Sequence, residues 1–230
     1  GGSRRRRYPL DQGCPVKRVV IIDSGGANIA SLRFALERLG CEAELTRNPD
    51  RIGEASHVLL PGVGAAEDAM VRLKSNRLDE LIPQLRQPVL GICLGMQLLC
   101  AASEEGPADC LGVLDHRVTA LKAVPERPVP HMGWNRVYPA PDCALFDGIE
   151  AGSHFYFVHS YYVEPEDEGM VAGETEYGVC FCSVLARGNL VATQFHPEKS
   201  GASGLRLFEN FVNDNRESAL PATISTKTTL

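Results

Sequence analysis

Residues 88–99 read PVLGICLGMQLL, in which a strand pattern and a helix pattern meet at a cysteine. A short apolar run leads into Gly91-Ile92-Cys93-Leu94-Gly95, and the residues after it have helical spacing. A strand that turns sharply into a helix at a nucleophile flanked by glycines is a nucleophile elbow. The glycines permit a close backbone approach, and the start of a helix favours the thiolate form of cysteine. The pattern therefore predicts a buried strand over 88–92, a helix over 94–102 and a nucleophilic Cys93.

A base for this thiol is predicted in the string QFHPEKSG, residues 194–201, which follows a strand-like run. His196 would take the proton of Cys93 and later donate it to the leaving amine, while Glu198 would hold the imidazole tautomer. A lone histidine is more often structural, but an elbow cysteine and a carboxylate two positions on favour catalysis. Cys93, His196 and Glu198 are the predicted catalytic residues, and the N–H of Leu94 is a predicted oxyanion donor.

Strand and helix patterns alternate along the first half of the chain. Apolar strand-like runs occupy residues 18–23, 42–46 and 57–60, and helical spacing occupies residues 28–39, 65–73 and 78–85. This alternation predicts an α/β fold in which a mostly parallel central sheet is flanked by helices.

The second half is richer in strand patterns, over residues 155–163, 179–186 and 190–195. A final helix over 204–213 would place Leu205, Phe208, Phe211 and Val212 on its apolar side. We therefore expect a β-rich antiparallel extension of the sheet and one domain over residues 17–213. Residues 1–16 read as a flexible basic tail, and residues 214–230 as a flexible tail or linker.

Charge and hydropathy exclude several classes of partner. The 230 residues carry a formal net charge of −6, and four of the 23 basic residues are the arginines at 4–7. So acidic a chain argues against nucleic acid as a partner. No apolar run reaches the ~18 residues of a transmembrane helix, and no apolar segment follows the arginines as in a secretory signal. We expect no membrane partner and a cytoplasmic location.

Cysteine, histidine and glycine patterns give no sign of a metal or cofactor. The eight cysteines include no C-x-x-C pair, so a disulfide scaffold or zinc site is not expected. His154 and His159 would lie on opposite faces of a strand, which disfavours shared metal ligation. The glycines after the first strand do not match G-x-G-x-x-G, and no phosphate-binding G-x-x-x-x-G-K-[ST] string is present. The predicted cofactors and metals are therefore none.

The elbow GICLGMQ and the string QFHPEKSG resemble the class I, triad-type glutamine amidotransferases. Within that class, PGVG at 61–64, PHMGWN at 130–135 and FVHSY at 157–161 are similar to glutaminase subunits of imidazole glycerol phosphate synthase. The resemblance covers about residues 16–212. It implies a flavodoxin-like fold and hydrolysis of L-glutamine through a Cys thioester. It also implies that ammonia passes to a cyclase (β/α barrel) partner that makes imidazole glycerol phosphate in histidine biosynthesis.

The resemblance also implies roles for individual residues. The second oxyanion donor would be the peptide of Val63, in a glycine-rich loop that we expect to flip between idle and active states. The expected substrate-binding residues are Gly62, Gln97, Glu105, Ser160 and Tyr161. The expected partner-interface residues are Asn28, Pro130, Met132, Trp134, Tyr156 and Lys199.

Purely structural roles stay open as alternatives for several of these positions. Residues 61–64 could form a plain turn, Gln97 could lie on a helix surface and Glu105 in a solvated loop. Trp134, which we place in a loop, could be a core residue.

Three other functions remain as alternatives. A glutaminase subunit of another class I amidotransferase, such as the anthranilate synthase type, is disfavoured by PHMGWN and Lys199. A Cys–His hydrolase such as a peptidase is disfavoured by the His-x-Glu pair. A non-catalytic binding subunit is disfavoured by the intact set Cys93, His196 and Glu198. The sequence leaves open whether the chain is a free subunit or a domain of a fused protein, and whether it is active without a partner.

Overall fold

A parallel sheet forms the centre of the computed structural model, which describes residues 17–25, 28–106 and 108–215. Its helices are α1 (Ile29–Arg38), α2 (Pro49–Gly53), α3 (Ala66–Ser75), α4 (Leu78–Leu81), α5 (Leu94–Leu98) and α6 (Gly201–Asn213). Its strands are β1 (Arg18–Ile22), β2 (Glu42–Thr46), β3 (His57–Gly62), β4 (Val89–Cys93), β5 (Ala102–Ser103), β6 (Ala108–Asp109), β7 (Arg117–Ala120), β8 (His131–Pro139), β9 (Ser153–His159), β10 (Tyr161–Glu164), β11 (Val171–Glu176), β12 (Cys180–Arg187) and β13 (Leu190–Thr193).

The predicted fold class is confirmed by the order of the strands. The order β2-β1-β3-β4-β13 is parallel throughout, and β12 then continues the sheet in the antiparallel direction toward β10 and β7. A second branch, in which β11, β8 and β9 pair in antiparallel fashion, leaves the sheet at β12. The sheet therefore has a parallel half and a β-rich antiparallel half.

Strands β1, β3, β4 and β13 of the parallel half are buried on both faces, whereas the edge strand β2 is partly exposed. One cluster joins Val20, Val58 and Val89 to helices α3 and α5, and the other joins Val19 and Leu90 to helices α1 and α6. None of the helices in the described residues is long and apolar enough to span a membrane.

The carboxyl ends of three neighbouring parallel strands meet at one edge of the sheet. Strand β3 ends at Gly62, β4 ends at Cys93, and β13 ends three residues before His196. In open parallel sheets, ligands bind outside this edge. The fold thus brings the predicted nucleophile, base and oxyanion loop to one place.

The helix after the elbow is shorter than the predicted span 94–102, because α5 ends at Leu98. The carbonyls that would continue the helix are used elsewhere: Leu98 accepts from the N–H of Leu111, and Leu99 accepts from Val113 and Leu114. Strand β5 then begins at Ala102.

The PHMGWN string, predicted to be a loop, forms most of β8. Pairing with β9 places His131 opposite His159 and Trp134 opposite Tyr156. The predicted strand over 155–163 is divided at Ser160 between β9 and β10. Helix α6 begins at Gly201, and it buries Leu207 where Leu205 was predicted. Helix α2 and strand β11 were not predicted.

The predicted tails lie largely outside the described residues, which exclude 1–16 and 216–230. Of the predicted C-terminal tail, Asp214 and Asn215 are described, and the carbonyl oxygen of Asp214 lies 2.7 Å from Nε2 of the buried His57.

Candidate active site

The elbow is built by close backbone packing at two glycines. A Cβ atom at Gly95 would lie 1.7 Å from the carbonyl oxygen of Leu60, and one at Gly91 would lie 3.1 Å from the backbone of Gly95. Cys93 has φ 53° and ψ −109°, a backbone conformation that side chains rarely adopt. Strain of this kind persists where the surrounding structure fixes it and is concentrated at functional sites. The glycine spacing of the elbow therefore has a steric cause.

His196 and Glu198 form a buried pair beyond the end of β13. Nδ1 of His196 lies 2.7 Å from Oε1 of Glu198, and their side chains are 4% and 3% exposed. The turn that carries them is fixed by Ser200, whose hydroxyl donates to the carbonyl of His196 and accepts from the N–H of Tyr156. The buried carboxylate holds the imidazole in one orientation.

The other ring nitrogen of His196 points to the thiol. Nε2 is buried and hydrogen-bonds to no nitrogen or oxygen atom of the described residues, and His196 and Cys93 line the same cavity. Burial alone lowers the pKa of His196, but the adjacent Cys93 and Glu198 outweigh it and raise the pKa to about 10. The contacts of His196 with Cys93 and Glu198 therefore favour the protonated imidazole.

The thiol, the imidazole and the elbow helix open into a cavity of about 370 Å³, the size of a small-molecule site. It is lined by Val63, Gly64, Cys93, Leu94, Gln97, Glu105, Pro130, Val158, His159, Ser160, Tyr161 and His196. Cavities of about 390 Å³ beside β7 and β10 and of about 690 Å³ beside Trp134 have no cysteine among their described lining residues. The predicted nucleophile and base therefore face the cavity of about 370 Å³.

Gln97 and Glu105 both line the cavity, and both are tied into the structure. Gln97 is 4% exposed and donates from Nε2 to the carbonyl of Tyr161, so the helix-surface reading is wrong. Oε2 of Glu105 accepts from the N–H of Ala66 at the start of α3. Glu105 is half-buried, and that burial raises the pKa of its carboxyl. Glu105 therefore lies in a turn with exposed neighbours, as the loop reading had it, but its carboxylate is bonded to the start of α3.

The residues of the two predicted oxyanion donors, Leu94 and Val63, line the same cavity as Cys93. Leu94 is the first residue of α5, where a backbone N–H has no acceptor within the helix. Val63 is 39% exposed. It follows Gly62, which pairs with Cys93 across the two parallel strands. Gly62 itself does not line the cavity; a Cβ there would lie 2.9 Å from Cβ of Leu94.

The predicted interface residues include an exposed aromatic group on the β8–β9 pair. Met132 is 62% exposed and Trp134 is 57% exposed, so Trp134 is not a core residue. The Trp134 ring meets Tyr156 edge-on at 6.1 Å, and Nζ of Lys199 lies 5.6 Å from the centre of the Tyr156 ring. Pro130 is exposed at the mouth of the cavity.

Asn28 is far in sequence from the other predicted interface residues. Its side chain caps α1 by accepting from the N–H of Ser31. Helix α1 packs against the turn that contains Lys199.

The structure adds buried polar residues to which the sequence gave no role. His131 and His159 are hydrogen-bonded to each other, and Gln194 contacts both Gln97 and Cys93. The available signal was a glutamine inside the apolar run 190–195, because a buried polar side chain must be hydrogen-bonded.

Comparisons with known proteins agree on one family. A family model described as Glutamine amidotransferase class-I matches residues 20–215. The imidazole glycerol phosphate synthase subunit HisH of Haemophilus influenzae is 46% identical over 194 residues, which are 84% of this chain and 96% of that protein. The HisH subunit of Bacteroides fragilis is 47% identical over 196 residues, covering 85% and 98% of the two chains.

Solved structures support the fold. A glutamine amidotransferase from Thermotoga maritima superimposes with a TM-score of 0.61 at 22% identity, over 85% of this chain and 81% of that chain. PurLQS from the same organism superimposes with a TM-score of 0.65 at 18% identity, over 86% and 99%. At such identities the likeness concerns the fold alone.

Proposed function

The chain belongs to the class I glutamine amidotransferases, and on that premise we propose that it hydrolyses L-glutamine to glutamate and ammonia. The observation that carries the proposal is the convergence of Cys93 and the buried His196–Glu198 pair on one cavity of about 370 Å³. A thiolate faced by an imidazole is the arrangement required for acyl transfer through a covalent intermediate.

The reaction proceeds in two halves. The thiolate of Cys93 attacks the side-chain amide carbon of glutamine, and the N–H groups of Leu94 and Val63 hold the resulting oxyanion. The C–N bond breaks as His196 donates a proton to the nitrogen, so ammonia leaves and a thioester remains. Water, deprotonated by His196, then attacks the thioester carbon and releases glutamate with the thiolate restored. Glu198 holds the imidazole tautomer in both halves.

Substrate recognition requires partners for the α-amino and α-carboxylate groups of glutamine. Glu105 supplies a carboxylate at the cavity wall, suited to the ammonium group. Gln97, Ser160 and Tyr161 line the wall beside it, whereas Gly62 does not line the cavity and is left out of the proposed set.

The ammonia is passed to a cyclase barrel subunit that makes imidazole glycerol phosphate in histidine biosynthesis. This assignment rests on the relatives, which are named as subunits of imidazole glycerol phosphate synthase and are 46–47% identical to this chain. The docking face comprises Asn28, Pro130, Met132, Trp134, Tyr156 and Lys199. Exposed aromatic side chains such as Trp134 are typical anchors of protein interfaces.

Glutamate release from glutamine tests the proposal in three mixtures: the chain alone, the chain with a cyclase subunit of an imidazole glycerol phosphate synthase, and that pair with its nucleotide substrate. We expect the rate to rise strongly with partner and nucleotide and to vanish in Cys93→Ala. Cys180→Ala is the matched control, because Cys180 is an exposed cysteine of β12, and we expect it to keep the native rate of glutamate release.

Two outcomes would contradict the proposal at different levels. Activity that survives in Cys93→Ala would show that Cys93 is not the nucleophile. Activity that the cyclase and its nucleotide do not stimulate would remove the histidine-pathway partner and leave a glutaminase of another amidotransferase.

A further inference from the structure

Gln194 is a fully buried polar residue between β13 and His196. Its backbone N–H already bonds to the carbonyl of Ser183, so its side chain is not needed for the sheet. The side-chain amide instead points into the elbow: Oε1 lies 3.0 Å from Nε2 of Gln97, and Nε2 lies 3.6 Å from Sγ of Cys93. A buried amide in contact with the nucleophile calls for a chemical reason.

The orientation of this amide is fixed by a chain of bonds that starts at a backbone carbonyl. The carbonyl oxygen of Tyr161 can only accept, so Gln97 must present its NH₂ group to it, at 3.0 Å. The second hydrogen of that NH₂ group meets Gln194, which must therefore present its oxygen to Gln97. The NH₂ group of Gln194 is then left facing the sulfur.

Two polar contacts on Sγ have opposite effects on its proton. The carbonyl oxygen of Val158 lies 3.7 Å from Sγ and can only accept, which favours the thiol. The amide N–H of Gln194 can only donate, which favours the thiolate. The dipole of α5 adds little, because that helix has five residues. The titratable groups around the sulfur are His196 with its partner Glu198, and His159, Tyr161 and Glu105 on the cavity wall.

We propose that Gln194 is a further catalytic residue, whose side-chain N–H binds the negative charge on the sulfur of Cys93. It holds the thiolate before attack. It acts again when water adds to the thioester: the new C–O bond forms, the C–S bond breaks, and the sulfur keeps the electron pair. The second role rests on the proposed glutaminase function, whereas the first concerns only the thiol.

The test is the pH dependence of Cys93 alkylation by iodoacetamide in the free chain, with modification followed on the peptide that contains Cys93. Gln194→Met keeps the length of the side chain and removes the donor. We expect its alkylation profile to move about one pH unit upward, because a hydrogen bond to a charged group changes the thiol equilibrium about tenfold. Glutamine turnover should fall at least tenfold in the same variant.

Thr193→Val is the matched control, because Thr193 is equally buried and its hydroxyl donates to the carbonyl of Phe195, away from the sulfur. Its profile should coincide with that of the native chain. An unshifted profile in Gln194→Met would overturn the proposal, whatever the glutaminase assay gives. If the variant does not fold, NMR of the native chain decides: the Gln194 amide proton must shift when Cys93 is alkylated, and no shift overturns the proposal.

Discussion

Nδ1 of His131 and Nε2 of His159 lie 2.9 Å apart on directly paired residues of β8 and β9, and both rings are buried. Nδ1 of His159 also lies 2.8 Å from the carbonyl oxygen of Tyr161, which can only accept. His159 is therefore protonated at Nδ1. The NH₂ group of Asn135 lies 3.3 Å from Nε2 of His131 and can only donate, so His131 carries its proton on Nδ1 and donates it to Nε2 of His159. The bond pattern requires two neutral rings, because a second proton on His159 would face the proton of His131.

Acid should destabilise the fold through this pair. Burial lowers the pKa of His131 to about 4 and that of His159 to about 3. Between the ordinary value near 6.5 and these lowered values, the unfolded chain binds protons that the folded chain does not, so stability falls as the pH falls. Each such group contributes up to about 1.4 kcal/mol per pH unit. Urea unfolding at several values between pH 7 and pH 4.5 measures the slope.

In the variant His131→Gln, unfolding should take up about one proton fewer in this pH range, so the free energy of unfolding should fall less steeply as the pH falls. His154→Gln changes an exposed histidine on β9, the strand of His159, and is the matched control, expected to keep the native slope. An equal slope in all three proteins would mean that the pair titrates alike in the folded and unfolded chains.

Gly95→Ala should prevent the elbow from forming. The added Cβ would lie 1.7 Å from the carbonyl oxygen of Leu60, and a backbone atom of a central strand cannot move aside cheaply. We expect a loss of several kcal/mol in the free energy of unfolding, or no folded protein. Gly53→Ala is the control, since beyond its own stretch of chain no atom of the described residues lies within 4 Å of its Cβ position at the exposed end of α2. Circular dichroism with urea titration compares the two, and equal stabilities would contradict the steric account of the elbow.

Sequence patterns predicted the parallel half of the sheet and the triad because both are local. The elbow glycines, Cys93 and the start of α5 occupy one short string, and His196 and Glu198 occupy another. Parallel strands that end at neighbouring positions must then bring the two strings together. Little tertiary information was needed for this part of the site.

The features that escaped prediction depend on distant partners. Strand β8 forms because β9, beyond a separate turn, pairs with it from His131 onward. Helix α5 ends early because residues 111–114 take its last carbonyls. The contact between Gln194 and Cys93 spans 101 residues, and its direction follows only from the bond between Gln97 and Tyr161. Periodicity carries no information on such pairings.

Glu105→Gln should separate two roles of this side chain. The amide oxygen still accepts from the N–H of Ala66, so α3 keeps its cap and the stability changes little. The negative charge that we assign to the ammonium group of glutamine is lost. We expect KM for glutamine to rise about tenfold with kcat nearly unchanged, a loss of about 1.4 kcal/mol in binding.

Steady-state kinetics of the stimulated enzyme measure this change. Glu104→Gln is the neighbouring control, because Glu104 also accepts a backbone bond, from Ala120, but does not line the cavity. An unchanged KM in Glu105→Gln would mean that Glu105 only caps α3 and does not bind the ammonium group of glutamine.

Trp134→Ala should weaken the proposed complex with the cyclase and leave the glutaminase site intact. The exposed Trp134 ring packs edge-on against Tyr156, over which Lys199 extends, so one substitution removes the centre of this group. Interface tryptophans commonly contribute 2 kcal/mol or more, which predicts a loss of at least about thirtyfold in affinity.

Phe34→Ala is the control, because Phe34 is a 65% exposed aromatic residue on α1, and this variant should bind the cyclase normally. Calorimetric titration with the cyclase subunit gives the affinities, and alkylation of Cys93 by iodoacetamide checks the site. Equal affinities for the two variants would place the docking face elsewhere on the molecule, whereas an altered Cys93 reactivity would mean that Trp134 supports the fold of the β8–β9 pair.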